Sequence, residues 1–168
     1  LMYKPKDCRL DSTWYELVNK LNSMNPPIDL KAAKICQKNG YGWSEFIQDP
    51  SCSDPKQFER FFFRAGALLA LFHIFVGTDM HFENLIASNE YPVPIDLEMI
   101  LQGTSPEHES ASPLKKSLTL AAKRANNSVM NVGLLPTYIE TSDKRITNIG
   151  GLNSASGEQI RQIWNLLN

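Results

Sequence analysis

Polar side chains of the kinds that bind metals and transfer protons are concentrated between Thr78 and Glu98. They fall into two short clusters and comprise Asp79, His81, Glu83, Asn84, Asp96 and Glu98. An apolar segment at 85–87 and a turn-prone stretch at 88–90 separate the clusters. Carboxylate and amide oxygens are ligands that magnesium takes in proteins, and a carboxylate can also accept a hydroxyl proton. The clusters therefore predict metal-assisted chemistry on a substrate hydroxyl group.

The spacing of these residues narrows the prediction to phosphoryl transfer. Asp79 and Asn84 are five positions apart, and Asp96 follows in the second cluster. Protein kinases present a catalytic Asp and a metal-binding Asn at this interval after a helix, and a further metal-binding Asp after a strand. We therefore predict that Asp79 accepts or orients the hydroxyl proton, while Asn84 and Asp96 hold magnesium. The alternative is that Asp79 and Asn84 are turn and cap residues beside a buried strand.

A long apolar helix precedes the first cluster and must position it. Asp54 followed by Pro55 predicts the start of this helix, and apolar residues at helical spacing continue to Val76. Nearly every residue from 65 to 76 is apolar, so we expect this end to be buried on all sides, with His73 as a hydrogen-bonded core residue. The apolar stretch is too short to span a bilayer, so we expect no membrane segment.

The first residues of the chain predict a strand and a further helix. Residues 1–6 are apolar and basic and are interrupted by a proline, which is typical of the end of a strand. Lys4 lies where kinases carry the lysine that contacts the nucleotide phosphates, with an ordinary exposed lysine as the alternative. Asp11 and the two residues after it predict an N-cap for a helix that continues to Leu21. Glu16 on this helix is a candidate partner of Lys4, and a solvated position is its alternative.

The connecting segments are predicted from turn residues and apolar runs. They comprise an amphipathic segment at 30–37, a turn at 39–40, an extended segment at 91–98, a loop at 102–113, a helix at 113–126, an extended segment at 129–139, and turns at 141–144 and 149–151. The helix at 113–126 carries Lys115, Lys116, Lys123 and Arg124. This basic patch suits a peptide or a nucleotide, and a solvated helix face is the alternative.

Length, charge and cysteine content limit the class of protein. With 168 residues the chain is long enough for one domain with its own core. A formal net charge of −1 gives no reason to expect a nucleic-acid partner. The three cysteines form no CxxC pair and no signal peptide opens the chain, so we expect reducing, cytoplasmic surroundings. A strand-like start and a helix-like end, RQIWNLLN, indicate a fragment of a longer protein.

Four motifs, taken in order along the chain, resemble one enzyme family. They are YKPK at 3–6, DMHFENLIAS at 79–88, PVPIDLE at 92–98 and NVGLLP at 131–136. Together they resemble the dehydratase domain of class II lanthipeptide synthetases. The resemblance implies an α+β, helix-rich, kinase-like fold, mainly the C-lobe with the last part of the N-lobe. It also implies that 1–168 is one partial dehydratase domain, without the cyclase domain and inactive when isolated.

The resemblance further implies an activity, cofactors and a site. The parent enzyme would phosphorylate Ser and Thr of a ribosomal precursor peptide with ATP and magnesium, and then eliminate phosphate to leave dehydroamino acids. The implied site comprises catalytic Lys4, Asp79 and His81, nucleotide-binding Lys4, Asn84 and Asp96, and metal ligands Asn84, Asp96 and Glu98. Zinc would belong to the absent cyclase domain. The partners would be the precursor peptide and the nucleotide, with at most a peripheral association with export machinery.

Two other functions stay open on the residues alone. One is a catalytically silent kinase-like module that binds a peptide or a partner protein, although such a module does not require the complete set of acids and amide. The other is a metal-dependent hydrolase built on His81 and the neighbouring acids. That site would need a second histidine near the metal, and His73 and His108 are poorly placed in the sequence.

Overall fold

A computed structural model describes residues 1–48, 50, 52, 54–101, 113–140 and 144–152. Helices and short antiparallel strands make up this part of the chain. The elements, in chain order, are β1 (Met2–Lys4), α1 (Arg9–Asn22), β2 (Ile35–Lys38), β3 (Tyr41–Ser44), α2 (Pro55–Ile74), β4 (Leu85–Ser88), β5 (Tyr91–Pro94), α3 (Pro113–Asn126), a 3-10 helix (Val129–Val132), β6 (Tyr138–Glu140) and β7 (Ile146–Asn148). The predicted loop at 102–113, the turn at 141–144 and the helical end lie wholly or mostly outside the described residues.

The first sheet has the strand order β1-β3-β2, and all of its pairs are antiparallel. Strands β2 and β3 form a hairpin through the turn predicted at 39–40, where Gly40 has a φ of 78°. Glycine adopts this left-handed conformation without the steric cost that a Cβ atom brings. Strand β1 pairs with the other side of β3, with Tyr3 opposite Trp43. The sheet thereby fixes the short strand that carries Lys4.

Residues 30–34 lack regular secondary structure and residues 35–37 belong to β2, so the amphipathic segment predicted at 30–37 is not one helix or strand. The Asn22 side chain accepts a hydrogen bond from the Leu30 nitrogen at 3.0 Å and donates one to the Leu30 oxygen at 2.7 Å. From Ile35 onward the chain pairs with β3, and Ile35 lies opposite Ser44. A side chain and a neighbouring strand therefore satisfy the backbone polar groups that a helical turn would have paired internally.

Helix α2 begins where the sequence predicts. Pro55 is its first residue, and the Asp54 side chain accepts a hydrogen bond from the Lys56 nitrogen at 3.1 Å. An acceptor at this position satisfies one of the free N–H groups of the first turn. The helix ends at Ile74, so the loop that carries Asp79 starts within a few residues of a rigid element.

Only one side of α2 is buried, so the expectation of burial all round is wrong. Leu68 and Phe72 are fully buried, whereas Phe63 and Ile74 keep 66% and 68% of their surface exposed. His73 is exposed as well, which corrects its assignment to the core. An uninterrupted apolar run has no period from which the buried side can be predicted, and neighbouring elements cover only the side that carries Leu68 and Phe72.

The main core lies between α1, α2 and the loops that follow α2. Trp14 of α1 stacks on Phe72 of α2, with ring centroids 4.9 Å apart and planes inclined by 8°. Such stacked rings add to the stabilisation that their burial provides. The buried members of this core are Trp14, Val18, Leu30, Ala32, Leu68, Phe72, Met80, Leu97, Ile100, Val132 and Leu134. Because Met80 follows Asp79 directly, the predicted catalytic loop is anchored in the core.

Several further predictions can be compared with the described residues. The helix predicted at 113–126 is confirmed as α3. The segment at 129–139 begins with the 3-10 helix and not with an extended strand, and Gly133 ends that helix with a φ of 83°. Among the described helices, none is both long and apolar enough to cross a bilayer. The kinase-like arrangement and the single partial domain stay predictions.

Candidate active site

One cavity of about 310 Å³ collects the residues of both polar clusters. Its lining comprises Asp79, His81, Glu83, Asn84, Asp96, Glu98 and Met99. Every predicted site residue except Lys4 is therefore on its wall. The structure brings together, in one place, an acid in a loop after α2 and two acids after β5.

The β4–β5 hairpin explains why the two clusters meet. Its strands pair from Leu85 opposite Pro94 to the turn at 89–90. Asn84 directly precedes the first strand and Ile95 directly follows the second, and the Ile95 nitrogen donates a hydrogen bond to the Asn84 oxygen at 3.0 Å. Asp96 follows Ile95, so the open end of the hairpin sets the amide of the first cluster beside the first acid of the second.

The Asp79 backbone adopts a conformation that few side chains favour. Its φ is 66°, in the left-handed region that Asp and Asn tolerate better than most residues. The Asn84 side-chain nitrogen donates a hydrogen bond to the Asp79 carbonyl oxygen at 2.8 Å. This bond closes the loop and uses the side-chain nitrogen of Asn84, so the side-chain oxygen is the atom that the predicted metal site would use.

Two glycine-containing segments pack against the loop that carries Asp79. The Met80 nitrogen donates a hydrogen bond to the Val132 oxygen at 2.9 Å. A Cβ atom on Gly133 would lie 3.1 Å from the Met80 nitrogen, and one on Gly151 would overlap the Met80 carbonyl oxygen. Gly151 therefore brings its backbone closer to the loop than a residue with a side chain allows, and Gly133 leaves little space beside the loop.

His81 has a tautomer that its hydrogen bonds assign. Its Nδ1 accepts a hydrogen bond from the Glu83 backbone nitrogen at 3.2 Å, so in the neutral ring the proton is on Nε2. That Nε2 lies 3.5 Å from Asp79 Oδ1. The same Nε2 also lies 3.5 Å from the side-chain nitrogen of Asn84. His81 is therefore beside both the carboxylate of the predicted base and the predicted metal-binding amide.

The second cluster is fixed to the exit of α2 by main-chain bonds. The Thr78 nitrogen donates to the Met99 oxygen at 2.9 Å, and the Leu101 nitrogen donates to the Phe75 oxygen at 2.9 Å. Two residues that follow Glu98 are thus connected to two residues that follow the end of α2. Both walls of the cavity consequently share one backbone framework.

Lys4 lies behind the cavity and is paired with an acid of α1. Its Nζ donates to the Ile95 carbonyl oxygen and lies 3.4 Å from Asp11 Oδ1. Asp11 is 5% exposed, and burial raises the pKa of its carboxyl group although the nearby Lys4 charge opposes that shift. Glu16, the candidate partner from the sequence, is exposed. Helix α1 begins at Arg9, so Asp11 lies inside its first turn and is not its cap.

Lys6 is a site residue that the sequence did not indicate. Its Nζ lies 2.6 Å from Asp96 Oδ1 and also contacts the Glu98 carboxylate. Burial alone would lower the pKa of the Lys6 ammonium group, but the hydrogen bonds to both carboxylates outweigh it and hold the pKa above its ordinary value. The group is therefore charged and acts as the counter-ion of both acids.

The donor set fits a magnesium ion that is also held by phosphates. Magnesium usually takes one or two protein carboxylates, with phosphate oxygens and water as the remaining ligands, and Asn84, Asp96 and Glu98 line one cavity. The Lys6 cation between the two acids shows that they favour a positive charge. Within the described ranges, no three His, Cys, Asp or Glu side chains are arranged to hold a metal by themselves. For the hydrolase alternative, His73 is not on the cavity wall, and His108 lies outside those ranges.

Asp11 and Lys6 were missed for different reasons. Asp11 shares the spacing of the buried residues Trp14 and Val18 on α1, and this placement on the apolar face was a signal that was read as capping. Lys6 contacts acids 90 and 92 positions away. No local pattern indicates a contact over such a distance, so only the fold could show it.

Comparison with known protein families identifies the chain. Residues 1–168 match a family described as "Domain of unknown function (DUF4135)" over their whole length. The chain belongs to the DUF4135 family. The predicted site, the hairpin and the glycine-containing segments at 133 and 150–151 all lie within the matched residues.

One curated relative is similar to part of this DUF4135 chain. It is the "Lacticin 481/lactococcin biosynthesis protein LcnDR2" of Lactococcus lactis subsp. lactis, with 27% identity over 96 residues. The alignment covers 57% of this chain and 10% of the relative. Together with the family match, this similarity confirms the resemblance to lanthipeptide synthetases that the four motifs indicated.

Proposed function

We propose that this chain belongs to an enzyme that phosphorylates Ser and Thr residues of a ribosomal precursor peptide and then eliminates the phosphate. The similarity to a lacticin 481 biosynthesis protein supports a role in lanthipeptide biosynthesis. The observation that carries the phosphorylation step is the single cavity lined by Asp79, Asn84 and Asp96. Phosphoryl transfer requires mainly positioning and charge stabilisation, and these residues offer both.

The nucleotide is bound by groups on two sides of the cavity. Asn84, Asp96 and Glu98 provide oxygen ligands, and the magnesium ion they hold would neutralise the phosphates. Lys4 resembles the strand lysine of kinases in its ion pair with an acid of the next helix, here Asp11. This pair keeps the lysine in place between β1 and the segment that carries the metal-site acids.

Asp79 is the proposed base for the transfer step. The substrate hydroxyl oxygen forms a bond to the γ-phosphorus while the bond from that phosphorus to the leaving oxygen of the diphosphate breaks. The hydroxyl proton passes to Asp79, whose carboxylate is 54% exposed and so accessible to a peptide. His81, whose Nε2 lies 3.5 Å from that carboxylate, is the group proposed to orient it. In the elimination step a base takes the Cα proton of the phosphorylated residue, the Cα=Cβ double bond forms, and the Cβ–O bond breaks to release phosphate.

The test replaces an acid of each cluster in the full-length protein. Asp79→Asn and Asp96→Asn should each reduce phosphorylation of the precursor peptide by about a hundredfold or more, because a base or a metal ligand is lost. Glu59→Gln, on the exposed face of α2, removes a similar charge and should leave the rate unchanged. The readout is the peptide mass, which rises by one phosphate group or falls by one water.

The same experiment separates the enzyme from the silent module. A folded wild-type protein that binds the peptide but adds no phosphate in the presence of ATP and magnesium would support the module and refute the proposed activity. Near wild-type phosphorylation by a folded Asp96→Asn protein would instead refute the assignment of the metal site. Circular dichroism of each variant establishes that it is folded.

A further inference from the structure

Lys6 bridges both acids of the second cluster, although none of the roles above uses it. Its ammonium group contacts the carboxylates of Asp96 and Glu98, and both acids line the cavity. It therefore lies at the place where a cation shared by those carboxylates would bind. The two lysines of the YKPK motif contact the same segment, Lys4 at the Ile95 carbonyl oxygen and Lys6 at the two acids that follow.

The two lysines differ in how firmly they are held. The side chains of Lys4 and Asp11 are 15% and 6% exposed, so their pair is enclosed by protein. The corresponding values are 26% for Lys6, 39% for Asp96 and 60% for Glu98. Ion pairs that water reaches contribute little to stability and open readily. Lys6 can therefore leave its partners, while Lys4 stays in place.

A divalent cation would compete with the Lys6 ammonium group for the carboxylates of Asp96 and Glu98. An ammonium group and a magnesium ion repel each other and cannot share the same position between two carboxylates. The divalent ion carries twice the charge and prefers carboxylate oxygens. Pro5 has a fixed φ and links Lys6 to the anchored Lys4, so the displaced ammonium group stays near the cavity. The anions closest to hand are then the nucleotide phosphates.

We propose that Lys6 is an additional nucleotide-binding residue that exchanges places with the metal. Its ammonium group holds Asp96 and Glu98 together in the metal-free protein, and it contacts the phosphates once the divalent ion has taken the carboxylates. This inference rests on the proposed function, because it requires a metal–nucleotide complex in the cavity.

The test measures binding of Mn²⁺ to the full-length protein, by the paramagnetic resonance signal of free Mn²⁺, with and without a non-hydrolysable ATP analogue. Without nucleotide, Lys6→Met should bind Mn²⁺ about threefold to tenfold more tightly than wild type, because the competing cation is gone. With the analogue present, the same variant should bind the Mn²⁺–nucleotide complex about tenfold more weakly. Loss of a residue with only a structural role would not strengthen the binding of Mn²⁺ and also weaken the binding of the Mn²⁺–nucleotide complex.

Two further variants complete the design. Lys6→Arg keeps a cation at the site, so its Mn²⁺ affinity should stay within about twofold of wild type. Lys38→Met removes an exposed lysine of β2 and controls for the change in net charge, with both affinities unchanged. Unchanged or weaker Mn²⁺ binding by a folded Lys6→Met protein would refute the role proposed for Lys6 and would leave the proposed function unaffected. If none of the proteins binds Mn²⁺ or the analogue, the proposed function falls as well.

Discussion

At the scale of single residues, Asp79 combines a fixed backbone with an accessible carboxylate. Its carbonyl oxygen is bound by Asn84 and its neighbour Met80 is buried, while 54% of its side-chain surface is open. A base must be held rigidly and still reach its substrate. The only polar side-chain atom that the structure shows near its Oδ1, within the described residues, is His81 Nε2 at 3.5 Å.

This contact leads to a prediction for His81. His81→Ala should lower the rate constant of phosphorylation by about tenfold to a hundredfold, the usual cost of losing a group that orients a functional side chain. The KM for ATP should change less than the rate constant, because His81 Nε2 lies 3.5 Å from Asp79 Oδ1 and from the side-chain nitrogen of Asn84, which is not the atom proposed to bind the metal. Initial rates over a range of ATP concentrations measure both quantities. His73→Ala, an exposed histidine of α2, is the control; an effect on KM alone would contradict the orienting role.

A second prediction concerns Asp29, which accepts hydrogen bonds from Arg64 at 2.7 Å and from the Tyr91 hydroxyl at 2.9 Å. Burial alone would raise the pKa of Asp29, but these bonds outweigh it and hold the pKa below its usual value. The unfolded value is about 3.9. The contacts therefore stabilise the fold fully above that pH and lose their effect as the pH falls through the lower folded value.

Asp29→Asn should accordingly reduce the free energy of unfolding most near neutral pH. The difference from wild type should shrink below a pH of about 4. Urea denaturation at a series of pH values measures it, with Glu16→Gln on the exposed face of α1 as the control. A difference that grows in acid would show that the ion pair with Arg64 has been assigned wrongly.

At the scale of elements, the loop after α2 depends on backbones that approach it closely. A Cβ atom on Gly151 would overlap the Met80 carbonyl oxygen. Gly151→Ala should therefore displace the Met80 backbone, reduce the free energy of unfolding by about 1–3 kcal/mol and, through the shift of Asp79, slow phosphorylation by about a hundredfold. Thermal unfolding and the peptide mass assay measure the two effects.

Gly66 of α2 provides the matched control for this substitution. A Cβ atom on Gly66 would meet nothing within 4 Å, and the residue is helical. Alanine favours a helix over glycine by about 1 kcal/mol, so Gly66→Ala should stabilise the protein slightly and leave the rate alone. Equal effects of the two substitutions would mean that the segment at 150–151 does not support the loop.

The elements that the sequence predicted well are those with local signals. Asp54 and Pro55 indicated the start of α2. The polar residues between 79 and 98 were close enough in sequence to predict that they would lie together, and they line one cavity. The conformation of residues 30–37 was not predicted, because it depends on the Asn22 side chain and on strand β3. The contacts of Lys6 join segments far apart in sequence, so they required the fold.

At the scale of the whole molecule, one core connects helix α1, which carries Asp11, with helix α2, which precedes the loop bearing Asp79. Phe72 is fully buried and stacks on Trp14 at its centre. Phe72→Ala should reduce the free energy of unfolding by about 3–5 kcal/mol, from lost burial and the cavity left behind. Phe63→Ala on the same helix, 66% exposed, should change it by less than about 0.5 kcal/mol. Similar losses in chemical denaturation would show that the wrong side of α2 has been placed in the core.

The loop bearing Asp79 owes its shape to main-chain bonds, such as that from the Met80 nitrogen to the Val132 oxygen and that from the Ile95 nitrogen to the Asn84 oxygen. Since these bonds do not involve the Asp79 side chain, replacing that side chain should leave the shape of the loop unchanged. Under the proposed function, an Asp79→Asn protein would keep the shape of the cavity but could not phosphorylate a bound peptide. Such a variant would retain the unmodified precursor peptide long enough for that peptide to be recovered and sequenced.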